Sequence, residues 1–431
     1  MKVLVTEMII LYRFFLYLFL PVVLVRLLFR ASRNNQYLNR ISQRFGWRMG
    51  LEQVSGGIWI HAVSVGEANA AIPLVKYLKS AYPDKPLLIT TMTPTGADRV
   101  AKTFGDSVTH CYLPYDYPGA VKRFLAAAQP RLVMIMETEI WPNYIEHCHK
   151  SGIPMIYTNV RMSARSYNGY RRFHRLISQV LGKVDQFAVQ SPADSERLVL
   201  LGARSDRVHT TGSIKFDIEL PASIIEASQS VRRNLGWDRP VWVAGSTHEG
   251  EESQILDAFM AAKKKCPDLL LVLVPRHPER FNTVSRLCTR FGCNTVQRTQ
   301  FQAEIPAETD VYLVDTMGEL ALFIAASDFT FVGGSLVPTG GHNVLEACAA
   351  GIAVIFGPHM FNFQEISAQV LSRGAGVQIM SAEELVDVVV KLIQDPVLRD
   401  QYGVQGKLFV EENRGALRKI EQLVKTCLEP A

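Results

Sequence analysis

Gly333-Gly334-Ser335-Leu336-Val337-Pro338-Thr339-Gly340-Gly341-His342-Asn343-Val344-Leu345-Glu346-Ala347-Cys348-Ala349-Ala350-Gly351 is the stretch whose reading decides the fold. The apolar run Phe329 to Val332 enters it and reads as a buried strand. Asn343 to Ala350 has helix-forming composition, with His342 or Asn343 placed to cap it. A second apolar run, Ile352 to Phe356, leaves it. Strand, glycine loop, short helix and strand in that order is the signature of an α/β sheet. Two glycine pairs let backbone N–H groups approach an anion, and a helix start adds a favourable dipole. The same glycines serve equally well in a tight turn, and the loop alone does not separate the two readings.

Outward from this loop the same grammar repeats. Val241 to Ala244 reads as a strand running into Gly245-Ser246-Thr247-His248-Glu249-Gly250-Glu251-Glu252. Its hydroxyls and N–H groups suit a phosphate, and its glutamates suit a first helical turn. Leu269 to Val274 ends at Pro275-Arg276-His277, and Val311 to Val314 ends at Asp315-Thr316-Met317-Gly318-Glu319. Arg276 is placed for a phosphate or a base, the backbone of Met317 to Glu319 for a base edge, and Glu346 for ribose hydroxyls. Ligands of open α/β sheets bind outside the carboxyl ends of strands. Four such ends in one sheet point to a nucleotide-type site in the second half.

The first half alternates in the same way. Ile58 to Ala62 is a strand, Ser64-Val65-Gly66-Glu67 a turn, and Ala68 to Ser80 a helix. Glu67 suits a general base, or simply a helix dipole. Leu132 to Met136 runs into Glu137-Thr138-Glu139-Ile140-Trp141-Pro142-Asn143, where continued strand geometry would set both glutamates on one face. Ile153 to Tyr157 leads to Asn159-Val160-Arg161-Met162-Ser163-Ala164-Arg165-Ser166, whose arginines can clamp an anion or pair with Glu137 or Glu139. Lys215 in Gly212-Ser213-Ile214-Lys215-Phe216-Asp217 is a candidate cation near a charged ligand, or a solvated edge lysine. Leu220-Pro221-Ala222-Ser223 reads as the passage between domains. Residues 1–33, 34–220 and 221–431 are therefore taken as an anchor helix and two doubly wound α/β domains, with the last helix, Leu417 to Leu428, packing back.

The chain has 431 residues, 48% hydrophobic and 20% charged, enough for two cored domains. A net charge of +5 and no aromatic-interleaved basic stripe give no case for nucleic acid. Seven scattered cysteines without a CxxC pair argue against a disulfide framework or a zinc site. No HExxH, Walker A or GxSxG pattern is present. Residues 8–29 are almost continuously apolar, broken by Arg13 and Arg26. They can span a bilayer if the two arginines reach opposite headgroup layers, or lie in the interface with Tyr12, Tyr17 and the arginines at headgroup level. Arg26, Arg30, Arg33 and Arg40 follow the run, which places the bulk of the chain in the cytoplasm.

SVGE at 64–67, ETEIWPN at 137–143, NVRMSARS at 159–166, GSIKFD at 212–217, GSTHEGEE at 245–252, PRHPERF at 275–281, MGEL at 317–320 and the opening loop together resemble the 3-deoxy-D-manno-octulosonic acid (Kdo) transferases of Gram-negative bacteria. The resemblance covers nearly the whole chain, in order. It implies a GT-B glycosyltransferase: two Rossmann-like parallel-sheet domains facing a cleft, behind an N-terminal membrane-associated helix. It implies inverting transfer of Kdo from CMP-Kdo to lipid IV-A at the cytoplasmic face of the inner membrane, with no metal or other cofactor. The family's general base matches Glu67, and its transition-state stabilisers match Glu137 and Lys215. Its CMP contacts match Pro275, Arg276, Met317, Gly318, Glu319, Asn343, Val344, Leu345 and Glu346. Other readings are a GT-B enzyme using a UDP-sugar, a sugar-nucleotide epimerase, and a non-catalytic nucleotide-sugar scaffold.

Overall fold

A computed structural model describes residues 2–300 and 304–429. The chain forms two compact units: Met1–Asp217 with Arg414–Ala431, and Ile218–Asn413. The sequence reading counted the last helix within 221–431 and had it pack back on the first domain. Ala416–Leu428 lies in the first unit, because Ile420, Val424 and Leu428 bury their stripe beside Ile58, Ile60 and Met134 of the first sheet. Asp217 fixes its start, accepting from the N–H groups of Gly415 (2.6 Å) and Leu417 (2.5 Å).

Strands β1 (Ile58–His61), β2 (Leu87–Thr91), β3 (Thr109–Tyr112), β4 (Leu132–Met136), β5 (Met155–Val160), β6 (Gln186–Val189) and β7 (Val208–Thr210) make the first sheet. All pairings are parallel, in the order β3-β2-β1-β4-β5-β6-β7. Parallel strands need a crossover between them, so helices cover both faces and the strands are apolar throughout. Ile58 and Ile60 face one core, and Trp59 faces the other with Phe124 and Tyr144.

The second sheet comprises β8 (Val241–Thr247), β9 (Leu270–Pro275), β10 (Thr295–Gln297), β11 (Val311–Leu313), β12 (Phe329–Val332), β13 (Ala353–Phe356) and β14 (Gly376–Gln378). Its order is β10-β11-β9-β8-β12-β13-β14, again all parallel. In each sheet the chain fills one side of its first strand and then crosses to the other side; in the second sheet β10 takes the edge before β11 enters between it and β9. This makes a switch point between β1 and β4, and another between β8 and β12. Loops at such a point diverge to opposite faces and leave a crevice at the strand ends.

The N-terminal apolar run is broken. Helices Lys2–Leu18 and Leu20–Arg33 meet at Phe19, and the apolar parts bend by 49°. Pro21 removes an N–H and its ring crowds the preceding turn, which accounts for the break. Among the described residues no single helix is long and apolar enough to cross a membrane, and the bent pair passes only by length and composition. Tyr12 and Arg13 are both hydrogen-bonded to the protein itself. The Tyr12 hydroxyl donates to Asp116 (2.8 Å), and Arg13 Nε donates to Asn143 Oδ1 (2.7 Å). Both side chains thereby dock the first helix onto the first sheet's unit. Phe14, Phe19, Val22, Val25 and Leu28 are each more than half exposed.

Candidate active site

At the first switch point β1 delivers Glu67 and β4 delivers Glu137. Ser64 and Glu67 form a capping box on helix Val65–Ala81. Glu67 Oε2 accepts from the Val63 N–H (2.8 Å) and Oε1 from the Ser64 hydroxyl (3.3 Å). The local pattern thus orients the carboxylate as well as starting the helix. Glu67 is only 9% exposed, and burial followed by the charge of Glu137 pushes its carboxyl up to about 8. The Val63 N–H pulls the other way, and Glu139 adds to the rise. Glu139 itself is pushed to about 7, by burial and then by Glu137. Glu67 and Glu139 therefore hold protons at a pH where isolated carboxyls would be ionised.

Glu137 and Glu139 do not share a strand face. β4 stops at Met136, and Glu137 sits in the left-handed region at φ 56° while its N–H donates to Thr158 O (2.8 Å). A left-handed conformation costs an L-residue other than Gly about 1–2 kcal/mol. Strain of this kind clusters at functional positions. The turn is held by the Tyr157 hydroxyl on the Glu139 carbonyl (2.8 Å) and by the Thr138 hydroxyl on the Arg161 carbonyl (2.5 Å). Arg161 and Arg165 are exposed.

Lys215 reaches this region on the Ile214–Phe216 turn, which packs against helix Val65–Ala81. Asn159 pins that turn: its Oδ1 accepts from the Ser213 hydroxyl and the Ile214 N–H, both at 3.2 Å. Asn159, next to last in β5, sits at φ 56°, a conformation asparagine tolerates better than most residues. Its positioning role had no sequence signal, because its partners lie more than 50 residues away. Asp116 and Asn143 were missed as well, their partners lying 27 to 130 positions away. Asp116 accepts from the N–H groups of Asn143 (3.0 Å) and Tyr144 (3.1 Å), so the end of the ETEIWPN loop is tied to the residue that also holds Tyr12. A groove of about 550 Å³ lined by Lys122, Gln129, His147 and Ile153 contains none of the candidate site residues.

In the second unit the opening loop proves to bind an anion of the protein's own. Glu251, fully buried, accepts from the N–H groups of Gly334 (2.7 Å), Leu336 (3.0 Å), Ser335 (3.1 Å) and His248 (3.2 Å). Those donors are spent inside the fold; Glu251 is the N-cap residue of helix Glu252–Lys263, with Glu252 in its first turn, but neither is solvated. Glu252 is buried, takes the Thr247 hydroxyl (3.3 Å) and pairs with Arg280 (3.0 Å). Glycine is required at 333, where a Cβ would stand 2.3 Å from Ser246 O.

What the second switch point offers lies further along the loop. The helix begins at Leu345 and not at Asn343; the Asn343 side chain caps it from outside, accepting from the Leu345 N–H (3.1 Å). Asn343 Nδ2 also reaches Glu346 Oε1 (3.5 Å). Burial raises the Glu346 carboxyl against the pull of Asn343 and Arg276. Val344 and Leu345 are buried. Pro275 closes β9 against Thr247, and exposed Arg276 follows, with its N–H on Thr247 O (3.0 Å). Glu319 is satisfied internally by Arg298 (3.0 Å) and Thr316. That segment therefore presents Met317, more than half exposed, and the backbone of Gly318 at φ 88°. Three histidines, His248, His277 and His342, complete the cluster. No group of three or more His, Cys, Asp or Glu among the described residues is arranged to hold a metal ion.

Residues 39–218 match the family model described as 3-deoxy-D-manno-octulosonic-acid transferase (kdotransferase). The chain is 40% identical over 412 residues to the 3-deoxy-D-manno-octulosonic acid transferase of Haemophilus influenzae, covering 95% of this chain and 96% of that one. It is 35% identical over 370 residues to that of Bordetella pertussis, covering 84% and 85%. The crystal structure of a glycosyltransferase from Rickettsia africae covers 88% of this chain and 100% of its own at a TM-score of 0.51 and 15% identity, a likeness of fold. Two parallel-sheet units of the GT-B kind and identity over nearly the full length place this chain in the Kdo transferase family, among the glycosyltransferases.

Proposed function

We propose that the protein transfers Kdo, with inversion, from CMP-Kdo to lipid IV-A. The observation that carries this reading is Glu67: a buried carboxyl raised to about 8, oriented by Val63 and Ser64 at a switch point. A general base works best with a pKa near the operating pH. Glu67 takes the acceptor hydroxyl's proton as that oxygen bonds to the anomeric carbon. The bond from that carbon to the donor phosphate breaks, and its electron pair leaves with CMP. Lys215 and Glu137 stabilise the charge that develops on the sugar and its carboxylate. Pro275, Arg276, Met317, Gly318, Glu319 and Asn343 to Glu346 hold the CMP half of the donor.

The exposed apolar side chains of residues 14–28 suit a lipid surface, and with the arginines after them they fit the cytoplasmic face of the inner membrane. Flotation with anionic vesicles tests this: Phe14→Glu with Val25→Glu should abolish binding. Undiminished flotation of the double variant would remove the N-terminus from the membrane assignment. The activity is tested by radiolabelled transfer from CMP-Kdo to lipid IV-A. Glu67→Gln should lose transfer and still bind CMP in preference to UDP. Transfer by that variant at the normal rate would remove the base from Glu67, and preference for UDP would remove the donor.

A further inference from the structure

β9, β8 and β12 are neighbours in the second sheet, and the loop after each delivers one histidine: His277, His248 and His342. His248 Nε2 and His342 Nε2 lie 2.8 Å apart, with ring centroids at 5.1 Å and ring planes 9° from parallel. His277 meets the His248 ring edge-on at 5.4 Å. Two imidazole nitrogens at this distance share a proton. One ring donates from Nε2 and keeps a lone pair on Nδ1; the other accepts at Nε2 and carries its hydrogen on Nδ1. One further proton turns the pair into a cation with an N–H at both Nδ1 atoms.

The surroundings decide when that proton arrives. From the β9 loop Arg276, His277 and Arg280 bear on the pair. From the β8 loop come Glu249, which faces Arg280, and Glu251, whose oxygens are occupied by backbone N–H groups. From the β12 loop comes Glu346, coupled to Arg276. Burial first, then Arg276, holds His342 down to about 3; burial and then His277 and Arg276 lower His248. Without a ligand the pair is therefore neutral. An anion beside Arg276 would offset the arginine's charge and supply its own, reversing the electrostatic part of the shift.

We propose that the His248–His342 pair is the proton-linked part of the donor-phosphate site, taking one proton from solvent when a phosphate monoester binds beside Arg276. This rests on the donor-site reading given above. A CMP-sugar is a phosphodiester with one negative charge. The CMP that leaves is a monoester and gains a second charge above a pKa of about 6. The pair thus answers the charge that appears when the sugar–phosphate bond breaks, and only an N–H bond forms in the protein.

Isothermal titration calorimetry at pH 8 in buffers of different ionisation enthalpy counts the protons. With CMP the wild-type protein should take up a measurable fraction of a proton. With the methyl ester of CMP, a phosphodiester, uptake should fall severalfold, and with cytidine it should vanish. His248→Gln and His342→Gln should each bind CMP with the uptake lost. Equal uptake for CMP and its methyl ester, no uptake with CMP, or undiminished uptake in both variants would overturn the proposal. The wild-type ligand series decides the matter even if a variant misfolds. Failure of the wild type to bind CMP at all would instead overturn the donor-site reading.

Discussion

The two switch points share one topology and carry opposite chemistry. Between β1 and β4 the chain places Glu67, Glu137 and Glu139, and burial with mutual repulsion makes the first and third hold their protons. Between β8 and β12 it places His248 and His342, with Arg276 at the end of neighbouring β9, and burial with nearby positive charge makes the imidazoles shed theirs. In both, desolvation disfavours the charged form, so acids rise and bases fall. The result is one site whose protonated Glu67 can accept a proton once ionised, and one whose neutral imidazoles stand beside a cationic arginine suited to receiving an anion. The same crevice geometry serves either end of a transfer reaction, and the side chains delivered there decide which.

The largest test of this contrast is functional. Glu67→Gln should lower transfer by roughly 10²–10⁴-fold, the range for loss of a general base, while CMP affinity stays within about twofold. A comparable loss of CMP binding would mean that the two ends are not separable. Next in size is Glu251→Gln. It leaves four backbone donors facing an amide that can accept at one atom only, and should cost about 3–5 kcal/mol, read as a lower urea midpoint. A loss under about 1 kcal/mol would show that the loop does not need its internal anion.

The raised Glu67 carboxyl also makes stability depend on pH. Between its ordinary value of 4.5 and about 8 the folded form binds more protons than the unfolded chain, so wild-type stability falls as pH rises through that window. Glu67→Gln should therefore gain stability over the wild type on going from pH 5 to pH 8, by roughly 3 kcal/mol, the pH-independent cost of a weaker cap dropping out of the difference. An unchanged difference between the two pH values would argue against burial as the cause. The smallest effect is expected from Glu137→Gln. Removing that charge should lower the Glu67 pKa and move the rising limb of the pH–rate profile down by about one unit or less. A limb that stays in place would uncouple the two glutamates.

Much of the fold is legible in the sequence because buried parallel strands are continuous apolar runs bounded by polar or glycine turns, as at 58–61, 132–136 and 329–332. Glu67 is legible too, since Ser64 and Glu67 stand at capping-box spacing directly after a strand. Sequence periodicity marked the end of β4 with the apolar run 132–136, but it could not show the left-handed turn at Glu137, which is held by β5. It could not assign Glu251, whose partners at 334–336 lie over 80 positions away.

By itself, then, the sequence determined which residues sit at strand ends, because a local pattern of apolar runs and breakers sets element boundaries. The family motifs added which of them carry chemistry. Only the tertiary structure decided which anion the Gly333–Gly351 loop holds at its start, and which histidines meet across three strands. Those outcomes follow from strand order and burial, which join residues far apart in the chain and set their charge through desolvation rather than through sequence neighbours.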